Sequence, residues 1–442
     1  MIPYPAYKST NLSWLPKIPE HWGIVRCKQI FRPIDVRSEK GEEQLLSVSE
    51  RYGVVKREQA NVTMFKAASY EGYKLCWPDD LAINSLWAWS YGLGFSPYHG
   101  IISTAYSVFR LKDKTKYLPR FYDYLVRSKD FHWELRVRSK GLWKSRYQLS
   151  DDAFLAAPIL DVPIAEQEQI VRYLDSMTAK INKLIRAKKK QIALLQEQRQ
   201  AIINHAVTKG LDPNVEMKDS GIDWIGEIPK HWNICKVKHL CRMQAGDNLT
   251  AEVIQETGEY PVYGANGRRG FYHAYNLNND CLLVGRQGAL CGNVHIVSGK
   301  IWATDHAVIT VPTKRAQVSH LYYLLIAMNL NQYALETAAQ PGLSVSVIQN
   351  LPTLLVPFDE QKAIASFLDK QSAVLDACID KMKATIDVLN EYKNSLISSI
   401  VTGQTDVRNI PVVEVIPDDL ISEDVPASEI EEEPPTNDES EE

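Results

Sequence analysis

The chain has no apolar run approaching the roughly 20 residues that a membrane-spanning helix requires. Its opening, MIPYPAYKST, lacks the charged-then-apolar layout of a secretory leader. A cytoplasmic location without membrane contact is therefore expected. The seven cysteines (Cys27, Cys76, Cys235, Cys241, Cys281, Cys291 and Cys378) are odd in number and include no C-x-x-C pair. That argues against a disulfide framework and a structural zinc site, and leaves buried free thiols in a reducing compartment.

Catalytic signatures are missing as well. There is no G-x-x-x-x-G-K-[ST] phosphate loop, no H-E-x-x-H and no G-x-S-x-G. The amino-methyltransferase signature [DNS]-P-P-[YF] is absent, Ser96-Pro97-Tyr98 lacking the second proline, and no glycine-rich strand-to-helix turn offers a place for S-adenosylmethionine. Glu216 and Lys218 lie in a linker without a suitable upstream Asp, and Pro78-Asp79-Asp80 has no lysine at nuclease spacing. No catalytic residue and no metal ligand is expected, which favours a binding scaffold.

Acidic charge is scarce in the body. Residues 411–442 hold thirteen Asp or Glu and no Lys or Arg, which leaves 50 basic against 41 acidic residues over 1–410. The net charge of −4 thus hides a basic body suited to a polyanionic partner. The acidic tail reads as disordered.

What the chain does have is an internal repeat. A shift of 210 places Lys8, Trp14, Ile18-Pro19, His21-Trp22 and Lys28 on Lys218, Trp224, Ile228-Pro229, His231-Trp232 and Lys238, sharing W-x-x-x-I-P-x-H-W. A shift of 194 places Val162-Pro163, Glu166-Gln167, Ile170 and Leu174-Asp175 on Val356-Pro357, Glu360-Gln361, Ile364 and Leu368-Asp369, and the match runs on to Val207-Thr208 over Val401-Thr402. Between these blocks, residues 29–150 and 239–345 do not align. The order is variable module, shared helix, variable module, shared helix.

Each shared segment runs about 45 residues without Gly or Pro, roughly 68 Å if fully helical. Apolar residues fall at alternating steps of four and three. They include Ile181, Ile185, Ile192, Leu195 and Ile202 in the first, and Leu375, Ile379, Ile386, Leu389 and Leu396 in the second. Sustained 4-3 spacing is a coiled-coil seam, with Lys188 and Arg199 as polar positions able to fix register. The two helices are expected to pair antiparallel within the chain, relating the repeats by an approximate two-fold axis; a homodimer through the same seams also satisfies the pattern.

Both modules mix short β-branched and aromatic runs with Gly and Pro, as mixed α+β domains do. In the first, Trp87, Trp89 and Tyr91 crowd Gly92 and Gly94, either as core packing or as a loop that meets DNA. Arg127–Arg146 carries seven basic and two acidic residues interleaved with aromatics, including Arg136, Arg138, Lys140, Lys144 and Arg146. Such interleaving suits phosphate contacts beside packing anchors. In the second, Asn266, Arg268 and Arg269 stand between Gly264 and Gly270, and Arg286-Gln287 precede Gly288. Arg can grip guanine and Asn adenine bidentately, although a plain hairpin turn explains the glycines equally.

The duplicated W-x-x-x-I-P-x-H-W and V-P-x-x-E-Q-x-x-I-x-x-x-L-D motifs, with Pro261–Gly267, Gly285–Gly292, Asn84-x-x-Trp87-x-Trp89 and Gly100–Tyr106, resemble the specificity subunits of type I restriction–modification systems over about residues 5–410. The resemblance implies target recognition domains at 1–160 and 213–355 and conserved coiled-coil helices at 161–212 and 356–410, followed by the acidic tail at 411–442. It implies that each recognition domain reads half of a split, asymmetric site on double-stranded DNA. Two methyltransferase subunits carrying S-adenosylmethionine would dock on the helices, and two ATP- and Mg-dependent restriction/translocase subunits would complete the enzyme. The chain itself would bind no cofactor. The competing expectations are a specificity subunit of a system with cleavage and methylation on one polypeptide, a coiled-coil scaffold or repressor, and a divergent stand-alone methyltransferase.

Overall fold

The computed structural model describes residues 2–58, 69–141, 147–288, 291–337 and 340–412, with the backbone alone at 335–337, 340 and 341. It divides into two compact units, Met1–Ala187 with Ala384–Glu442, and Lys188–Lys383.

In the first unit, β1 (Phe31–Ile34), β2 (Asp80–Asn84), β3 (Leu93–Phe95) and β4 (Tyr106–Leu111) form an antiparallel sheet of order β1-β4-β2-β3. Side chains alternate between its faces. Leu81, Ile83, Phe109 and Leu111 join the larger core with Phe121, Tyr122 and Leu125 of α1 (Pro119–Val126). Ala82, Tyr106 and Val108 join a smaller core with Leu46, Val48 and Val54. Both faces are covered, so every residue of β2 is buried. The stretch 100–111 forms two strands, Gly100–Ile102 and Tyr106–Leu111, separated by a turn held by Tyr106 N–H donating to Ser103 O at 3.1 Å. Helix α2 (Lys129–Arg138) follows, its N-terminus capped by Ser128, whose Oγ accepts from Phe131 N–H.

The second unit contains β5 (Cys241–Ala245), β6 (Tyr260–Gly264), β7 (Gly267–Tyr272), β8 (Cys281–Gly285), β9 (Val294–Val297) and β10 (Ala307–Pro312). Its main sheet has the order β5-β10-β8-β9. This is the arrangement of the first unit, with the last strand between the first and the second. Again alternate residues enter two cores: Leu282 and Val284 one, Cys281 and Leu283 the other. The segments that do not align in sequence therefore share one sheet topology. Strands β6 and β7 form a hairpin at one edge of a second four-stranded sheet.

The shared segments form α3 (Ile164–Lys209) and α5 (Phe358–Val401), which pack together antiparallel within the chain. In the first unit, Ile181 and Ile185 share a core with Leu396 and Ile400, while Ile386 and Leu389 pack against it half-buried. In the second, Ile203 and Ala206 share a core with Ile364 and Leu368, and Leu375 and Ile379 are buried. Ile192 and Leu195 are half-buried. Ile202 is also half-buried, and Ile203 is the deeper neighbour, because the end of α3 enters the module core and is covered over a wider arc than a two-helix seam provides. Arg199 reaches Asp376 of the facing helix at 3.5 Å, whereas Lys188 bonds Gln191 of its own helix at 3.2 Å. Five of the seven free cysteines are buried, but Cys235 is half-buried and Cys378 exposed. Among the described residues no helix is long and apolar enough to cross a membrane.

Candidate nucleic-acid interface and the module joints

The repeated motifs meet each other in space. In the first unit the Trp22 indole Nε1 donates to Glu166 Oε2 at 3.0 Å, and His21 Nε2 lies 2.5 Å from Glu166 Oε1. In the second, Trp232 donates to Glu360 Oε2 at 3.0 Å and His231 lies 2.7 Å from Oε1. The neighbouring glutamine acts identically in both. Gln167 Oε1 accepts from Leu118 N–H, and its amide donates to Lys116 O and Val162 O. Gln361 accepts from Gln317 N–H and donates to Arg315 O and Val356 O. Each module is thus clamped to the start of a long helix by a buried glutamine, Gln167 or Gln361, and by a neighbouring glutamate, which is buried in the first unit and more exposed in the second.

Farther along, a tyrosine closes each joint. Tyr124 Oη donates to Asp175 Oδ1 at 2.6 Å and lies 3.3 Å from Thr178 Oγ1. Tyr323 Oη donates to Asp369 at 2.8 Å and also bonds Ser372. Burial raises both phenols, that of Tyr323 up to about 12. Beyond each tyrosine opens a cleft, of about 870 Å³ in the first unit and about 630 Å³ in the second.

The aromatic loop of the first module is fastened down. Trp87 and Trp89 rings stack at 5.9 Å, and Trp89 Nε1 donates to Leu86 O at 2.8 Å. Tyr91, at a left-handed φ of 65°, stacks on His132 of α2 at 3.9 Å. Burial lowers the His132 pKa. Trp87 and Tyr91 line the first cleft. In the basic run, Arg136 and Lys140 are exposed, while Arg138 is held by buried Glu134 at 2.6 Å, which also accepts from Trp14 Nε1 at 2.9 Å. Lys144 and Arg146 lie outside the described residues, as does the acidic tail from residue 413.

In the second module, β6 and β7 are joined by the two-residue turn Ala265-Asn266, with Gly264 paired to Gly267. Gly267 takes φ +91°, a conformation that favours glycine. Asn266, Arg268 and Arg269 are exposed on this hairpin, and Arg268 lies 5.3 Å from the Phe271 ring centre. Gly267 and Arg268 line the second cleft beside His295, whose pKa is lowered by burial. Arg286 and exposed Gln287 follow β8, and Gln287 bridges to Gly342, a separate placement from the hairpin. The structure thus gathers Asn266, Arg268 and Arg269 into one element, and Trp87, Trp89 and Tyr91 into another.

The acidic pair Asp79-Asp80 is occupied: Arg110 grips buried Asp80 at 2.6 and 2.8 Å, and Lys114 holds Asp79 at 2.8 Å. Of the cationic residues lining the first cleft, Arg127 lay in the basic run singled out in the sequence, whereas Arg51 and Lys393 were missed. The signal available for Lys393 was its place on Arg199 in the 194-residue repeat.

Residues 229–391 match the family model for the type I restriction modification DNA specificity domain. The chain is 41% identical over 135 residues to the type I restriction enzyme EcoprrI specificity subunit of Escherichia coli, which covers 30% of this chain and 33% of that protein. It is 23% identical over 439 residues to the type I restriction enzyme MjaVIII specificity subunit of Methanocaldococcus jannaschii, covering 91% of this chain and 98% of that one. A solved structure described as the basis of complex assembly and conformational transition of the type I R-M system superposes with a TM-score of 0.63 at 15% identity, over 88% of this chain and 99% of that one. The superposition establishes a common fold. The resemblance to type I specificity subunits read in the repeated motifs is borne out.

Proposed function

We propose that this chain, a type I specificity subunit by its motifs, its specificity domain and its fold, is the DNA-reading and scaffolding component of a restriction–modification enzyme and performs no catalysis itself. Residues 1–160 and 213–355 serve as two target recognition domains, and 161–212 and 356–410 as the shared helices. Each domain reads one half of a split, asymmetric target on double-stranded DNA. Phosphate contacts position the domain, and a few base-edge contacts specify the sequence.

The observation that carries this reading is that two modules with one sheet topology but unrelated sequences are attached to two related helices through matching joints. A duplicated scaffold with diverged modules is what a bipartite, non-palindromic target demands. A homodimeric reader would present two identical halves and select a palindrome.

The shared helices then offer docking surface for two methyltransferase subunits, with two restriction/translocase subunits completing the assembly. S-adenosylmethionine, ATP and Mg belong to those partners and the chain binds none of them. The location is cytoplasmic, where the genome is. Selection of the purified chain with its methyltransferase against random duplex DNA tests the reading: two fixed base clusters separated by an unread spacer are expected, and enrichment of a palindrome or of no motif contradicts it.

A further inference from the structure

The two joints are alike except in charge. In the second unit the cation that α3 points at α5, Arg199, meets Asp376 at 3.5 Å. The repeat places Lys393 where Arg199 stands and Asn182 where Asp376 stands. In the first unit Lys393 accordingly donates to the neutral Asn182 Oδ1 at 3.1 Å, and among the described residues it has no carboxylate partner. It is also half-buried, and that burial, with the nearby Arg51 and Arg127 guanidiniums, lowers its pKa. Arg127 is fixed in place by donating to Glu50 O at 3.0 Å and Arg51 O at 2.7 Å. All three cations line the cleft of about 870 Å³. The same cleft is lined by Arg57, Arg120 and Lys129 as well, against the carboxylates of Glu50 and Asp123, so its lining carries an excess of positive charge in a partly desolvated setting, which an anion would relieve.

We infer that the cleft of the first unit is a phosphate site for the DNA backbone, with Lys393 of the second shared helix as a sequence-independent contact and Arg51 and Arg127 beside it. Lys393 would then contribute to a half-site whose bases are read by a module more than 230 residues away in the chain, whereas the second unit neutralises the equivalent position internally. The aromatic loop bearing Trp87 and Tyr91 also lines the cleft, where a base edge would lie.

This inference rests on the DNA-recognition reading, and the test separates the two. Binding of the full-length chain to target duplex is measured against salt for wild type, Lys393→Gln, Lys393→Arg and Asn182→Asp, with thermal melting as the folding control. Lys393→Gln is expected to weaken binding several-fold at low salt and to reduce the slope of log affinity against log salt by about 1. The loss should be the same on target and non-target DNA. Lys393→Arg should retain the wild-type slope. Asn182→Asp, which installs the carboxylate that the second unit already has, should mimic Lys393→Gln while leaving the lysine in place. Wild-type slope and affinity in both Lys393→Gln and Asn182→Asp would overturn the phosphate site alone, and a loss confined to one sequence would make Lys393 a base reader instead. A wild-type chain that binds no duplex DNA would overturn the recognition reading and this inference with it.

Discussion

Trp22 Nε1 donates to Glu166 Oε2 at 3.0 Å, and Trp232 repeats the bond to Glu360 at the same 3.0 Å. The repeats nevertheless differ in setting, since the Glu166 side chain is 11% exposed and that of Glu360 is 40%. A buried carboxylate stripped of a donor costs about 1–3 kcal/mol, and an exposed one recovers much of this from water. Trp22→Phe is therefore predicted to lower the unfolding midpoint of the chain more than Trp232→Phe. Denaturant titration of both variants decides it, and equal effects would mean that the bond adds nothing beyond the packing of the ring.

The helix ends give a second asymmetry. Gly210 and Gly403 both take left-handed conformations, at φ +75° and +72°. A β-carbon at Gly403 would sit 2.4 Å from Pro19 Cδ and 2.9 Å from the Trp22 ring, whereas at Gly210 the nearest atom is 3.3 Å away on Trp232. Both alanine variants bear the backbone strain of about 1 kcal/mol. Gly403→Ala alone must also displace a proline and a buried indole, so its melting temperature should fall distinctly further than that of Gly210→Ala.

His320, on α4 (Val318–Ala327), is buried with its Nε2 unpartnered, and burial lowers its pKa to about 4 from an ordinary value near 6.5. The unfolded chain therefore binds a proton in this interval that the folded chain does not. Stability from this group is complete above pH 6.5 and is lost as the pH falls toward 4, by roughly 3 kcal/mol at most. His320→Leu should flatten the stability profile between those values. A variant with the wild-type slope would show that other groups govern acid unfolding.

Exposed Arg268 and Arg269 on the β6–β7 hairpin are candidates for base reading in the second half-site. Replacing a base-reading arginine by alanine should cost about 1–3 kcal/mol on the true target and relax one base position. Affinity measured across a panel of single-base target variants distinguishes this from a uniform loss, which marks a phosphate contact.

The long helices and their seam were legible because a 4-3 apolar pattern without Gly or Pro admits few other structures. The joints were visible as repeated letters, yet nothing in the letters told that Trp22 and Glu166, 144 residues apart, touch. The common sheet of the modules was illegible for a physical reason. The inner positions of a doubly covered strand need only small-to-medium apolar residues, which Leu81–Ile83 and Cys281–Val284 supply in unrelated ways. Charge alone did not rank the basic residues: Arg138 belongs to Glu134 and Arg110 to Asp80, while Lys393, hidden in a coiled-coil heptad, lacks a carboxylate among the described residues.

The central claim is that this chain dictates which DNA sequence its partner methylates. Single-molecule methylome sequencing of a host expressing the neighbouring methyltransferase with and without this chain tests it most directly. A split adenine-methylated motif, present only with the chain, is the predicted result. No new motif, with the same methyltransferase active beside another specificity subunit, would contradict it.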